Sequence, residues 1–171
     1  MPQNTEGVKS KTKYKMTDLE KETDENFGTI ELDDKFVVFK SEGKEISRFL
    51  ASDIKIIGER TTKAETYASD WDLIFIVKDN QQIYIPAYAN NMDNFLKELG
   101  TKLNATIVCT LSSSVDLNSN VIFPKNLAGH KFFDFPNGEP KNIWEKILRF
   151  ISAGKPIIPK LTNEVKSYLN S

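Results

Sequence analysis

Six short β-type runs follow one another between residues 27 and 86, and few folds accommodate such a succession. The runs are rich in β-branched and aromatic residues: FGTIEL, KFVVFK, EISRFL, DIKIIGER, WDLIFIVK and QIYIP (27–32, 35–40, 45–50, 53–60, 71–78 and 82–86). Runs of this length, separated by Asp, Asn and Gly, are typical of antiparallel strands joined by tight turns. This stretch is therefore predicted to form an antiparallel meander of about six strands.

One amphipathic helix is predicted directly after the meander. Its apolar residues recur at the i, i+3, i+4, i+7 spacing of one helix face: Met92, Phe95, Leu96, Leu99 and Leu103. Asn90 or Asn91 can cap the N-terminus, and Asp93 suits the first turn, where the helix dipole favours negative charge. Gly100 inside this helix costs up to ~1 kcal/mol relative to alanine, which the apolar anchors offset.

The chain beyond residue 104 carries both strand and helix signals. ATIVCTL (105–111) and VIFP (121–124) are predicted strands separated by a polar loop. NIWEKILRFISA (142–153) is a predicted helix that stops at Gly154 and Pro156, and TNEVKSYLN (162–170) is a shorter one. The overall prediction is an α+β protein with a sheet-plus-helix core over 27–104. A C-terminal α/β extension over 105–171 packs on that core.

Three stretches of the core carry a resemblance to a known family: EISRFLASDIKII (45–57), WDLIFIVKDNQQIYIP (71–86) and NNMDNFLKELGTKL (90–103). Their order resembles a short bacterial pleckstrin-homology-like domain, although that family has seven strands where six are predicted here. The family's best-known ligands are phosphoinositide headgroups, held by Lys and Arg in the first hairpin loop. Here that loop is Asp33-Asp34-Lys35, and carboxylates repel phosphate. The resemblance therefore implies a protein ligand more than a lipid.

Charge is distributed unevenly along the 171 residues. The net charge of −1 argues against a general nucleic-acid binder, which needs a basic excess. Residues 1–26 are polar and are predicted to form a flexible tail, residues 27–139 carry a net charge of −4, and residues 140–171 carry +4. The basic C-terminus either contacts an acidic partner or a membrane surface, or is a solvated helix face.

Several features of the whole sequence favour a soluble protein of the cytoplasm. No stretch approaches the roughly 20 apolar residues that would span a bilayer, and the first residues lack the apolar core of a secretory signal. Cys109 is the only cysteine, so no intramolecular disulfide is possible, as expected in a reducing compartment.

Few residues are suited to catalysis. Cys109 and His130, the only histidine, are compatible with a nucleophile–base pair, but a cysteine in an apolar run is typical of core packing. Asp70 and Asp72 form a D-x-D pattern that holds a metal in some transferases, although a solvent-facing strand start explains both carboxylates. The sequence contains no phosphate-binding loop or zinc-protease motif. We predict no catalytic residue, no metal and no cofactor.

Phe132, Phe133 and Phe135 form the densest aromatic cluster outside the meander. If exposed, they are candidate partner-binding residues, because aromatic side chains anchor protein interfaces. If buried, they dock the C-terminal part of the chain onto the sheet. The rarity of large exposed apolar patches favours burial.

Together these observations favour a non-catalytic protein-binding module. One specific form is an immunity or antitoxin-type protein that neutralises a toxin by binding it, because an acidic face steers toward a basic partner. Two alternatives stay open. The first is a peripheral membrane-surface adaptor, suggested by the basic C-terminus, and the second is a hydrolase that uses carboxylates alone. The identity of the partner and the oligomeric state do not follow from the sequence.

Overall fold

The structure, a computed structural model, describes residues 27–61, 71–114, 116–135 and 159–171. Within these ranges the protein is α+β, with two open antiparallel sheets, a pair of two-residue strands and two helices. No helix in the described ranges is long and apolar enough to cross a bilayer. The predicted tail at 1–26 and the predicted helix at 142–153 lie outside the described residues.

The first sheet is a three-stranded meander. It contains β1, β2 and β3 in that order: Thr29–Asp33, Phe36–Ser41 and Lys44–Leu50. Asp34 and Gly43 have φ values of 51° and 74° in the two connecting turns, as tight hairpin loops require. A bulge opposite Phe39 and Lys40 leaves Ile46 without a partner on β2, and its side chain is 60% exposed.

The second sheet has four antiparallel strands: β4 (Ile56–Thr61), β5 (Trp71–Ile76), β6 (Gln82–Pro86) and β7 (Asn118–Phe123). Their order in the sheet is β6-β5-β4-β7. The six predicted strands thus form two sheets, because a 3-10 turn at Ala51–Asp53 ends β3 and redirects the chain. The region after residue 104 supplies β7 to the sheet that the meander began.

The predicted helix is confirmed as α1, Met92–Lys102. The apolar face lies against the core, with Phe95 and Leu99 fully buried. Asn91 occupies the N-cap position, but its side-chain amide donates to the carbonyl oxygen of Ile30 at 3.0 Å and does not cap the helix. A Cβ at Gly100 would lie 2.7 Å from the Ala105 carbonyl oxygen. The backbone at Ala105 can therefore approach α1 this closely only because residue 100 has no side chain.

The second sheet separates two hydrophobic cores. On one face Leu73, Phe75 and Val77 pack with the first sheet and α1, as the alternation in WDLIFIVK predicts. On the other face the core consists mainly of Ile56, Ile74, Ile76, Val121, Phe132, Phe133 and Val165. A Cβ at Gly58 would lie 2.1 Å from Cδ2 of Phe132. This glycine on β4 lets the aromatic ring lie directly against the strand backbone.

The end of the chain closes over the second core. β8 (Phe133–Asp134) pairs with β9 (Lys160–Leu161), and α2 follows at Asn163–Leu169. Thr162 caps α2, because its hydroxyl accepts from the Val165 amide at 3.4 Å and donates to the Lys131 carbonyl oxygen at 2.9 Å. The predicted short helix is thereby confirmed. The predicted strand at 105–111 is wrong, since these residues join no sheet.

Candidate functional site

A solvent-open groove lies between α1 and the chain that follows it. Residues 104–109 form one wall, and α1 forms the other. The rest of the lining comes from Trp71, Ala87, Ser112 and residues within 122–128. The groove has a volume of about 1250 Å³, large enough for several side chains of a ligand. Its main apolar lining residues are Trp71, Met92, Leu96, Ile107, Val108, Cys109 and Phe123. This groove is formed by described residues and is the candidate site.

Most of this first wall belongs to a longer stretch, residues 105–111, which we call the wall segment. Its side chains alternate as in a strand: Ile107 and Leu111 are buried, while Val108 is 57% exposed and borders the groove. Among the described residues, the amides of 106–109 make no backbone hydrogen bond. An extended chain with free backbone groups is a template for pairing with a second extended chain. The wall segment therefore offers both apolar contact and backbone hydrogen bonds.

Glu59 fixes the wall segment to the sheet. This side chain on β4 is fully buried, and its carboxylate accepts four hydrogen bonds. The donors are the Trp71 indole at 3.1 Å, the Thr110 amide and hydroxyl at 2.7 Å each, and the Leu111 amide at 3.2 Å. A buried carboxylate is costly unless hydrogen bonds replace its hydration. The amides of Thr110 and Leu111 thus donate to the Glu59 carboxylate and not to the backbone of a neighbouring strand.

Sequence reasoning missed both Glu59 and the groove. One signal was present: strand alternation puts Glu59 on the same face as Ile57, which belongs to the core below the first sheet. A carboxylate on an apolar strand face needs partners. Those partners lie about fifty positions further along the chain at Thr110 and Leu111, and local pattern does not reveal such pairs.

The groove carries charged side chains of both signs, with basic ones in excess. Lys97 on α1 and Lys125 after β7 line it, and Asp93 supplies the carboxylate. Both lysines have their ammonium groups on long stems, so they reach a ligand seated between the walls. A ligand with apolar side chains and one or more carboxylates would complement this lining.

An aromatic row leads from the groove to the start of the described chain. Trp71 lines the groove, and its ring meets Tyr88 edge-on at 5.5 Å between centroids. Tyr88 in turn contacts Phe27 at 5.6 Å. Phe27, the first described residue, therefore lies two ring contacts away from the groove lining.

Cys109 and His130 do not form a nucleophile–base pair in this structure. Cys109 is partly buried in the groove wall, and burial, with lesser contributions from Glu59 and Asp93, raises the pKa of its thiol to about 12. His130 is exposed in the loop after β7 and does not line the groove. Within the described ranges no hydrogen bond joins the two side chains. A thiol held neutral in this way is a poor nucleophile.

The D-x-D pattern is only partly described, because Asp70 lies outside the described residues. Asp72 is half-buried and pairs with Arg60 at 2.9 Å. Burial raises the pKa of Asp72, while the Arg60 guanidinium opposes that shift. The same guanidinium lies 4.7 Å from the ring centroid of Tyr84. Among described residues, no group of three or more His, Cys, Asp or Glu side chains is placed to hold a metal.

The three phenylalanines of the candidate partner-binding cluster pack in the second core. Phe132 and Phe133 are 0% and 1% exposed, with ring centroids 4.7 Å apart, and Phe135 is partly buried beside them. This arrangement corresponds to the alternative in which they dock the C-terminal chain on the sheet. Phe132 and Phe133 present no surface to a partner here, and their partner-binding role stays a prediction.

Comparison with known protein families, characterised proteins and solved structures finds no match to this chain.

Proposed function

We propose that this protein is a non-catalytic protein-binding module that takes an extended segment of a partner protein into the groove between α1 and the wall segment. The observation that carries the proposal is the wall segment itself. Its side chains alternate between buried and exposed as in a strand, its amides at 106–109 have no backbone partner in the described chain, and Val108 among them is exposed. Pairing with an added strand supplies hydrogen bonds to such a backbone, while side-chain pockets supply specificity.

The chemistry of the groove selects the kind of segment. Apolar side chains would pack on Trp71, Leu96 and Val108, and a carboxylate would lie near Lys97 or Lys125. In an extended chain, side chains that face the same side are two residues apart. The expected partner segment therefore has apolar residues at alternate positions and acidic residues next to them.

The anchoring by Glu59 supports a binding role for this wall. A wall held by hydrogen bonds from Trp71, Thr110 and Leu111 to one buried carboxylate is already ordered before a ligand arrives. Preorganisation of this kind improves affinity because less conformational entropy is lost on binding.

A matched pair of substitutions tests the proposal. Val108→Glu places a charge on the groove wall, whereas Ile46→Glu makes the same kind of change at an equally exposed apolar residue on β3. Both side chains are more than half exposed, so neither change should unfold the protein. Partners would be captured from native lysate with the full chain, identified, purified, and titrated against each variant by calorimetry.

We expect Val108→Glu to weaken binding of the purified partner at least tenfold, about 1.4 kcal/mol. Ile46→Glu should leave the affinity within about twofold. Lys97→Glu together with Lys125→Glu should weaken binding further at low salt, since screening reduces charge effects at high salt. Equal affinity of the wild type and Val108→Glu would refute the groove as the binding site.

A specific form of this function is an immunity or antitoxin-type role, in which the partner is a toxin. The net charge of −4 over residues 27–139 supports it, because such a charge steers association with a basic partner. The expected result is one stoichiometric, tightly bound partner that is basic overall and presents an apolar and acidic segment to the groove. Weak capture of many unrelated proteins would count against this form.

We also propose a pleckstrin-homology-like relationship for residues 27–104. Its support is the succession of six strands followed by α1 in that stretch. The addition of β7 at the sheet edge beside β4 departs from that layout. Asp33, which ends β1 before the first hairpin loop, pairs with Arg48 at 3.3 Å. An experimental structure with two packed sheets closed by α1 would support the relationship, whereas a different sheet order would exclude it.

A further inference from the structure

We propose that the outer edge of β6 pairs with β6 of a second copy of the chain, antiparallel across a two-fold axis at Tyr84. This pairing is independent of the proposed function, because within the described ranges no residue of β6 lines the groove. Three features of the strand support it: the free backbone groups of its edge, the absence of charge along it, and the exposed ring of Tyr84.

β6 lies at one end of its sheet, with β5 on one side only. Just beyond the strand, the Ala87 amide donates to the Trp71 carbonyl oxygen at 2.9 Å, in register with the ladder. Hydrogen-bonded and non-hydrogen-bonded pairs alternate along an antiparallel ladder. The backbone groups of Gln82 and Tyr84, and the carbonyl of Pro86, therefore point away from β5. Among the described residues these two outward amides have no partner, and both residues are exposed.

The other three edges of the two larger sheets are less suited to pairing. On β1, the Ile30 amide already donates to the Asn90 carbonyl oxygen at 3.1 Å. On β7, the Val121 amide donates to the His130 carbonyl oxygen at 2.9 Å. β3 carries three charged residues and a bulge, features that keep edge strands apart. Within the described chain, β6 is the edge of these sheets that is open, uncharged and regular.

A copy of β6 related by a two-fold rotation presents the complementary backbone groups. With Tyr84 opposite Tyr84 of the second copy, the two residues exchange a pair of hydrogen bonds. Each Gln82 amide then donates to the Pro86 carbonyl oxygen of the other copy, which adds a second pair. Pro86 has no N–H, so the ladder between the copies ends at that residue. The result is one continuous antiparallel sheet across both copies.

The distribution of charge favours a second copy and the antiparallel direction. Residues 80–92 contain no charged side chain, and Lys78 and Asp79 come directly before them. An uncharged edge gives a charged partner strand nothing to pair with, whereas a copy meets no like charge along the strand. Across the two-fold axis, Lys78 and Asp79 of the two copies lie at opposite ends of the interface. A parallel arrangement would instead bring the two Lys78 side chains together.

The side chain of Tyr84 is ordered and available at the axis. It is 40% exposed, its hydroxyl donates to Gln82 at 2.8 Å, and its ring centroid lies 4.7 Å from the Arg60 guanidinium. Arg60 also pairs with Asp72 at 2.9 Å, so its positive charge is offset near the axis. Aromatic side chains directly opposite each other on paired strands stabilise the pairing. The two Tyr84 rings supply this contact.

The dimer is expected to be weak, because the paired strands are short. Stable interfaces bury ~1,200–2,000 Å² in total, and pairing between strands of five residues buries less. We expect a dissociation constant on the order of 100 μM. Sedimentation velocity of the full chain from about 5 to 500 μM should therefore show a shift from monomer to dimer.

Opposite charges at Tyr84 test the position of the axis. Tyr84→Lys alone, or Tyr84→Glu alone, places like charges opposite each other and should weaken self-association at least about tenfold. An equimolar mixture of the two variants places opposite charges together and should restore association to within about threefold of the wild type. The matched controls are Ile46→Lys and Ile46→Glu, at an exposed apolar residue of the edge strand β3. They should associate like the wild type, alone or mixed, and urea unfolding would establish that every variant is folded.

A wild-type chain that stays monomeric at about 500 μM would overturn the inference. So would Tyr84 variants that associate like the wild type, or a mixture that associates no better than its components. Val108→Glu separates this edge from the groove, because it should leave self-association within about twofold. If Val108→Glu abolishes self-association, the second copy binds in the groove and the assignment to β6 is wrong. Binding of the captured partner to Val108→Glu tests the proposed function alone.

Discussion

Substitution of Glu59 is predicted to destabilise the fold, because its buried carboxylate accepts four hydrogen bonds. These bonds connect β4 to Trp71 and to the wall segment. The substitution Glu59→Gln keeps the size of the side chain and replaces one accepting oxygen with a donating NH₂ group. If that group faces Trp71 and Leu111, both of their N–H groups lose an acceptor. If it faces Thr110, the hydroxyl can turn and accept, but the Thr110 amide is left unpaired. At least one buried donor therefore loses its partner in either orientation.

The expected loss of stability follows from these contacts. A hydrogen bond to a charged group contributes ~1.5–3 kcal/mol, and an unpaired buried donor costs ~1–3 kcal/mol. We expect Glu59→Gln to lower the free energy of unfolding by about 3 kcal/mol. For a chain of this length, that change lowers Tm by roughly 6–12 °C.

Urea unfolding at neutral pH measures this effect, and hydrogen exchange at Thr110 and Leu111 locates it. The matched control is Glu45→Gln, which removes the negative charge from an exposed ion pair with Arg48 at 3.1 Å. Surface ion pairs of this kind contribute ~0–1 kcal/mol. A loss below 1 kcal/mol for Glu59→Gln, or equal losses for both variants, would refute the assignment of Glu59 as the anchor of the wall segment.

Four further predictions concern packing and titration. Gly58→Ala should destabilise the fold by at least ~2 kcal/mol in urea unfolding, because the new Cβ overlaps the Phe132 ring; an unchanged midpoint would contradict this packing. Phe132→Ala should cost ~3–5 kcal/mol in the same assay, whereas an exposed phenylalanine would cost little. Gly100→Ala should destabilise despite a helix-propensity gain of ~1 kcal/mol, since its Cβ would approach the Ala105 carbonyl oxygen; a stabilised variant would show that the contact is absent. Because burial raises the pKa of Cys109 to about 12, the alkylation rate of its thiol in the folded chain should still rise about tenfold per pH unit at pH 10. A plateau of the rate near pH 9 would contradict the raised pKa.

Much of the secondary structure could be predicted because it depends on local pattern. The alternation in WDLIFIVK predicts which residues of β5 face the first sheet, and helical spacing predicts the buried face of α1. The strand at QIYIP is confirmed with its bounds unchanged as β6 (Gln82–Pro86). These features depend only on the regular spacing of apolar residues within one short stretch of the chain.

The prediction of a strand at 105–111 failed because a residue far away in the sequence, Glu59, accepts hydrogen bonds from this segment. The wall segment has a strand-like composition, yet Glu59 accepts two of its amides and it joins no sheet. Intrinsic β-propensity is weak compared with a set of buried hydrogen bonds to a charge. The division of the six strands into two sheets likewise depends on contacts between residues far apart in sequence. The same holds for the addition of β7 at the sheet edge beside β4.

The sequence by itself determined the α+β class, the position of α1 and the scarcity of catalytic residue types, because composition and periodicity are properties of the chain. Only the tertiary structure decided that Phe132 and Phe133 are buried, that Gly58 and Gly100 are sites of close approach, and that a groove opens beside Val108. The physical reason is that burial and concavity arise where elements distant in sequence pack together. Hydrophobicity favours such packing but does not specify which elements meet.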